Sequence, residues 1–123
     1  MRKLTVFALL LLIVGCGRQP STNDWIERLQ DPDASHRLEA VRALAKTPDE
    51  ESVVPALAGA LRDENYYVRR DAAAALGKIG PAARVAAPSL VAALNDKERS
   101  VRNAAAEALK KVDTVLAAKA RLR

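Results

Sequence analysis

The sequence predicts an all-α chain, a right-handed solenoid of about three helical hairpins, and three observations carry that expectation. The first is internal repetition. Sliding the 123 residues on themselves by 32 places Asp31, Arg37, Ala40, Ala43 and Leu44 under Asp63, Arg69, Ala72, Ala75 and Leu76. A slide of 33 places Leu94, Asp96, Val101, Arg102, Ala105, Ala108, Leu109 and Val112 under Leu61, Asp63, Val68, Arg69, Ala72, Ala75, Leu76 and Ile79. Self-similarity at a fixed period of a few tens of residues marks a stack of identical supersecondary units. The second observation is composition, rich in alanine with four aromatic residues. Alanine loses no side-chain entropy in a helix and lets helices approach closely, but it buries little area, so such a core must be long and tight. The third is spacing: between turn signals, apolar residues recur three and four apart.

Residues 1–15 read as an export signal that is removed. Arg2 and Lys3 precede the apolar run Leu4 to Val14, about half the roughly 20 residues that a membrane-spanning helix needs. Ile13-Val14-Gly15-Cys16 resembles the bacterial lipobox. The resemblance implies a diacylglycerol on Cys16, a mature chain that starts there, and a lipid-anchored place at the bacterial cell envelope. Gly17 in the next position implies the outer membrane rather than the inner in a Gram-negative cell. Residues 16–23 form the tether, and its seven residues after the cysteine reach at most about 25 Å. The repeat domain is expected over 24–123.

The first helix is expected to start at Asp24, with Asp24 and Glu27 in capping-box spacing and Trp25, Ile26 and Leu29 on one face. Asp31-Pro32-Asp33 ends it, and a second helix runs to about Lys46, before Thr47-Pro48. The next pair begins after acidic residues 49–51 and ends at Gly77 or Gly80, with Asn65 as N-cap of its second helix. The third pair repeats the plan, and its second helix is expected to continue from about Arg99 to near the C-terminus as an extended cap. Lys110, Lys111, Lys119, Arg121 and Arg123 make that end basic against Asp113. It reads as a solvated cap, with contact to anionic lipid headgroups as the alternative.

The shared pattern, L-x-D-x4-V-R-x2-A-x2-A-L, resembles the HEAT-like repeat, in particular the short form of bilin lyases in phycobilisome assembly. Asp31 and Arg37, Asp63 and Arg69, and Asp96 and Arg102 occur in every copy. A catalytic pair is rarely triplicated, so these six are read as structural: the aspartates bond turn N–H groups and the arginines reach turn carbonyls or carboxylates. His36 stands where the pattern has Val, and Trp25 aligns with core leucines Leu57 and Leu90.

One cysteine and one histidine leave almost no means of building a metal site from their side chains, a Cys/His nucleophile pair or a disulfide. The reading is therefore of a protein without catalytic residues, metal or cofactor. Without Arg2 and Lys3 the balance is 18 basic to 15 acidic side chains, about +3, with no concentrated basic face for nucleic acid. In HEAT-like arrays the second helices line the surface where partners bind. Tyr66, Tyr67, Arg70, Arg42 and Glu107 fall there and are the candidate contacts with a protein partner. The function expected is a lipid-anchored, non-enzymatic scaffold or adaptor, its membrane contact made through the anchor. The alternative is a bilin-lyase-like enzyme or chaperone. The export leader speaks against that alternative, because bilin attachment is a cytosolic task.

Overall fold

A computed structural model describes residues 17–121, so Cys16 and the leader before it lie outside the described residues, together with residues 122 and 123. The chain forms α1 (Thr22–Arg28), α2 (Ala34–Leu44), α3 (Val53–Ala60), α4 (Tyr66–Ile79), a 3-10 segment (Gly80–Ala86), α5 (Ala87–Ala93), α6 (Arg99–Val112) and α7 (Thr114–Arg121). No strand occurs among the described residues. The helices pair as α1/α2, α3/α4 and α5/α6, one hairpin per sequence repeat, and stack into an α-solenoid with α7 packed on α6.

The repeat pattern dictates this stacking. Leu44, Leu57, Leu76, Leu90 and Leu109, one from each helix of α2 to α6, are fully buried, with Val41, Val53, Val68 and Val101 beside them. Each such side chain contributes roughly 1.5–3 kcal/mol on leaving water. Alanines 40, 72, 73 and 105 are equally buried and hold the second helices close. No helix among the described residues is long and apolar enough to cross a membrane.

Turn chemistry sets the helix starts. Asp33 Oδ1 accepts the Ser35 N–H at 2.8 Å and Asn65 Oδ1 accepts the Tyr67 N–H at 2.9 Å, so both cap their helices. Glu98, at the same repeat position, makes no side-chain cap. Gly80 takes φ 75° and ends α4, the left-handed turn that glycine enters without strain. Gly77 instead stays helical.

Two boundaries differ from the sequence expectation. The first helix starts at Thr22, because Ser21 and Asp24 form the capping box: Ser21 N–H donates to Asp24 Oδ2 at 2.7 Å and Asp24 N–H to Ser21 Oγ at 3.3 Å. Thr22 is buried and its hydroxyl donates to Glu50 at 2.8 Å, which ties this start to the turn before α3. The last helix is not continuous. Asp113 adopts an extended φ of −150°, its Oδ1 accepts the Leu116 N–H at 3.0 Å, and Arg84 Nε donates to its Oδ2 at 3.1 Å. A short acidic side chain that captures a backbone N–H competes with the helix ladder and begins a new helix. The cap of the solenoid is therefore a separate helix folded back on α6.

Candidate binding face of the second helices

The six repeated Asp and Arg residues form one ladder along the inter-helix turns. Arg37 donates from Nη1 to the carbonyls of Asp31 and Pro32, at 2.7 and 3.1 Å, and from Nε and Nη2 to both carboxylate oxygens of Asp63, at 2.8 and 3.1 Å. Arg69 repeats this one unit on, with the carbonyls of Asp63 and Glu64 and the carboxylate of Asp96. The Arg69 and Asp96 side chains are only 8% and 11% exposed, so the pair is a buried, bidentate clamp between repeats. Burial pushes the Asp96 carboxyl up, but the Arg69 hydrogen bond and the Glu98 N–H hold it below its ordinary value. The Asp63 hydrogen bond likewise holds the Arg37 guanidinium above its ordinary value, against its burial.

Arg102 bonds the carbonyls of Asp96 and Lys97 at 2.7 and 3.0 Å. Asp31 sits at the other end of the ladder. Its Oδ1 accepts the Asp33 N–H at 2.8 Å and contacts His36 Nδ1 at 3.2 Å, and the Asp33 N–H holds its carboxyl below the ordinary value. His36 is half exposed and serves this turn rather than the core. Trp25 is partly buried against the core, and the Arg28 guanidinium lies over its ring at 5.4 Å.

On the second helices the structure joins four of the five candidate contacts. The rings of Tyr66 and Tyr67 lie 4.1 Å apart, centroid to centroid. The Arg70 guanidinium covers the Tyr67 ring at 5.2 Å. Arg70 Nε also donates to Asp71 Oδ1 at 3.0 Å, and Arg42 Nε reaches from α2 to Asp71 Oδ2 at 3.0 Å. Hydrogen bonding to Tyr67 holds the Tyr66 phenol above its ordinary value, with burial adding to the effect. Glu107 lies on α6 and pairs with Lys110 at 2.8 Å. Asp71, the residue that links the two arginines, was not singled out from the sequence. The signal was its place beside Arg70, facing the rung of Arg42.

A groove of about 350 Å³ opens between α2 and α4 beside this cluster. Ala45 and Ala74 form its apolar floor over the buried Val41 and Ala75, and Arg42, Lys46 and Lys78 stand around it. Sequence explains why it opens here. In the seam between α4 and α6 a Cβ on Gly77 would lie 3.0 Å from Ala108 Cα, so the backbones are in contact. Counting back by the repeat, Ala45 holds the place of Gly77 and Val41 that of Ala73, so larger side chains stand at these positions in the seam between α2 and α4. No cluster of three or more metal-ligating side chains occurs among the described residues.

A family model described as HEAT repeats matches residues 22–110. Comparison with curated proteins gives no match. Among solved structures the chain is similar to the complex of CpcE and CpcF of phycocyanin lyase from Nostoc sp. PCC7120. The TM-score is 0.73 and the identity 38%, over 85% of this chain and 41% of that one. The chain thus spans about two-fifths of the length of the lyase chain that it matches. This similarity corrects the expectation of a non-enzyme. The relative is part of a lyase, and its likeness extends well beyond a shared fold.

Proposed function

The chain belongs to the HEAT-repeat family, and from that premise we propose that it is a bilin-lyase-like repeat module. It handles a linear tetrapyrrole, or the protein that receives one, through the face of its second helices, and it works in complex with a second protein. The observation that carries this reading is the 38% identity to a phycocyanin lyase complex over 85% of the chain. The geometry of the face supports it. Tyr66 and Tyr67 offer two adjacent rings tilted by 31°, Arg70 and Arg42 offer fixed donors, and Asp71 holds both arginines in place. Aromatic and arginine side chains are the ones that dominate binding interfaces.

The test is a titration of the protein with biliverdin, followed by absorption and fluorescence. The protein carries Cys16→Ser to keep it unacylated. Saturable binding with a red-shifted or sharpened long-wavelength band is the expected result. A Tyr67→Ala, Arg70→Ala variant with an unchanged melting temperature binds much more weakly. No spectral change at high micromolar protein overturns the reading.

Residues 13–16 support a second claim, that the mature module is held by a lipid on Cys16 at the bacterial envelope, on the outer membrane where the cell has two, and so meets its tetrapyrrole away from the cytosol in which bilin attachment takes place. Wild-type protein then fractionates with membranes and the Cys16→Ser variant does not. Membrane retention of the variant removes the claim, and the biliverdin titration decides the bilin reading separately.

A further inference from the structure

Lys46, Lys78 and Lys111 stand at one repeat position, 32 and 33 residues apart, and all three are exposed. The stacking of hairpins does not use them. A lysine near a helix C-terminus complements the helix dipole, which accounts for one such residue per repeat. It does not account for the setting of the first two. Lys46 and Lys78 flank the groove between α2 and α4, above its apolar floor, and among the described residues neither is paired with a carboxylate. The one carboxylate of the groove, Asp71, is occupied by Arg42 and Arg70. Two unpaired cations over an apolar floor leave the groove with a charge that its own side chains do not satisfy.

We propose that this groove is a binding site for an elongated apolar ligand bearing carboxylates, whose acid groups pair with Lys46 and Lys78 while its apolar body lies on Ala45 and Ala74. The volume, about 350 Å³, falls at the small end of the range for small-molecule sites, roughly 300–1,000 Å³. It is far short of a surface that seats a protein. Naming the ligand as a linear tetrapyrrole held by its acid side chains rests on the lyase-like reading; the chemistry of the groove does not.

The experiment uses three probes on the Cys16→Ser protein: biliverdin, biliverdin dimethyl ester and anilinonaphthalene sulfonate, an anionic apolar dye. The Lys46→Ala, Lys78→Ala variant is compared with Lys111→Ala, which alters the same repeat position away from the groove, and circular dichroism confirms that both are folded. The double variant is expected to bind biliverdin and the dye about tenfold more weakly, as loss of two exposed charge contacts implies. Wild type binds the ester about tenfold more weakly than the acid, and Lys111→Ala binds like wild type. Equal affinity of the double variant for both acidic probes overturns the proposal and leaves the lyase-like reading standing. A tenfold loss for the dye, with no biliverdin binding by any form, supports the groove and removes the lyase-like reading. An equal loss in Lys111→Ala places the effect in the general charge of the helix ends and overturns the proposal.

Discussion

The seam between α4 and α6 and the seam between α2 and α4 are built from the same repeat and behave differently. In the first, the α4 backbone at Gly77 lies against Ala108 of α6, and Ala73 is fully buried. In the second, Ala45 and Val41 stand at those positions and a groove remains, bordered by cations. Both seams carry the same buried arginine clamp, Arg37 on Asp63 and Arg69 on Asp96. The comparison teaches that the ladder sets the register of the stack, while one small residue per helix sets how closely the helices approach. A groove is left where that residue is not glycine.

The widest test of this division is removal of a clamp. Arg69→Ala leaves Asp96 without its partner at a mostly buried site, and a loss of about 3 kcal/mol in urea unfolding is expected. A loss below about 1 kcal/mol would move the arginine from the frame to the surface and break the comparison. Gly77→Ala is next. Its Cβ meets Ala108 Cα at 3.0 Å, so overpacking at about 1–3 kcal/mol outweighs the roughly 1 kcal/mol that alanine gains over glycine in a helix. The expected net loss is about 1 kcal/mol, and a melting temperature above wild type contradicts the close contact.

Acid sharpens the role of the clamp. The folded Asp96 carboxyl titrates below its ordinary value of 3.8, so the unfolded chain takes up the proton first. The stability from Asp96 is full well above pH 3.8 and is lost as pH falls through the lower folded value. Denaturation between pH 6 and pH 2 should show this decline, and Asp96→Asn should flatten it. An unchanged acid slope in that variant shows that other carboxylates carry it. The smallest effect on stability belongs to the open seam. Ala45→Leu is expected to change unfolding by no more than about 0.5 kcal/mol while filling the groove and lowering biliverdin affinity. A stability loss as large as that of Gly77→Ala erases the difference between the seams.

The frame was legible in the sequence because a repeat states its structural residues more than once. Asp63, Arg69 and their counterparts and the Asn65 cap follow from a period that aligns three turns, while the helix end was narrowed only to Gly77 or Gly80. What lay outside the period was not. Ser21 precedes the first copy, so the true capping box was displaced to a pair three residues later. Asp113 follows the last copy, and its capture of the Leu116 N–H broke a helix whose apolar spacing ran on unbroken. Asp71 and the groove depend on how neighbouring helices sit side by side, which no spacing along one helix displays. Lys46 and Lys78 were periodic with Lys111 and still passed unnoticed, because a lysine at a helix end has an ordinary explanation until the floor beside it is known to be apolar.

The contact of Gly77 with Ala108 also bears on how the chain opens. Repeats that touch only their neighbours unfold from the ends inward, and each interface contributes its own cooperativity. With the backbones of α4 and α6 in contact, these two helices form a single unit of exchange whose amides open only in global unfolding. The first hairpin, joined through a seam with a groove in it, detaches at lower free energy. Its excursions would widen and close the space between α2 and α4 while the rest of the stack stays shut, so a molecule there would enter by the breathing of one hairpin.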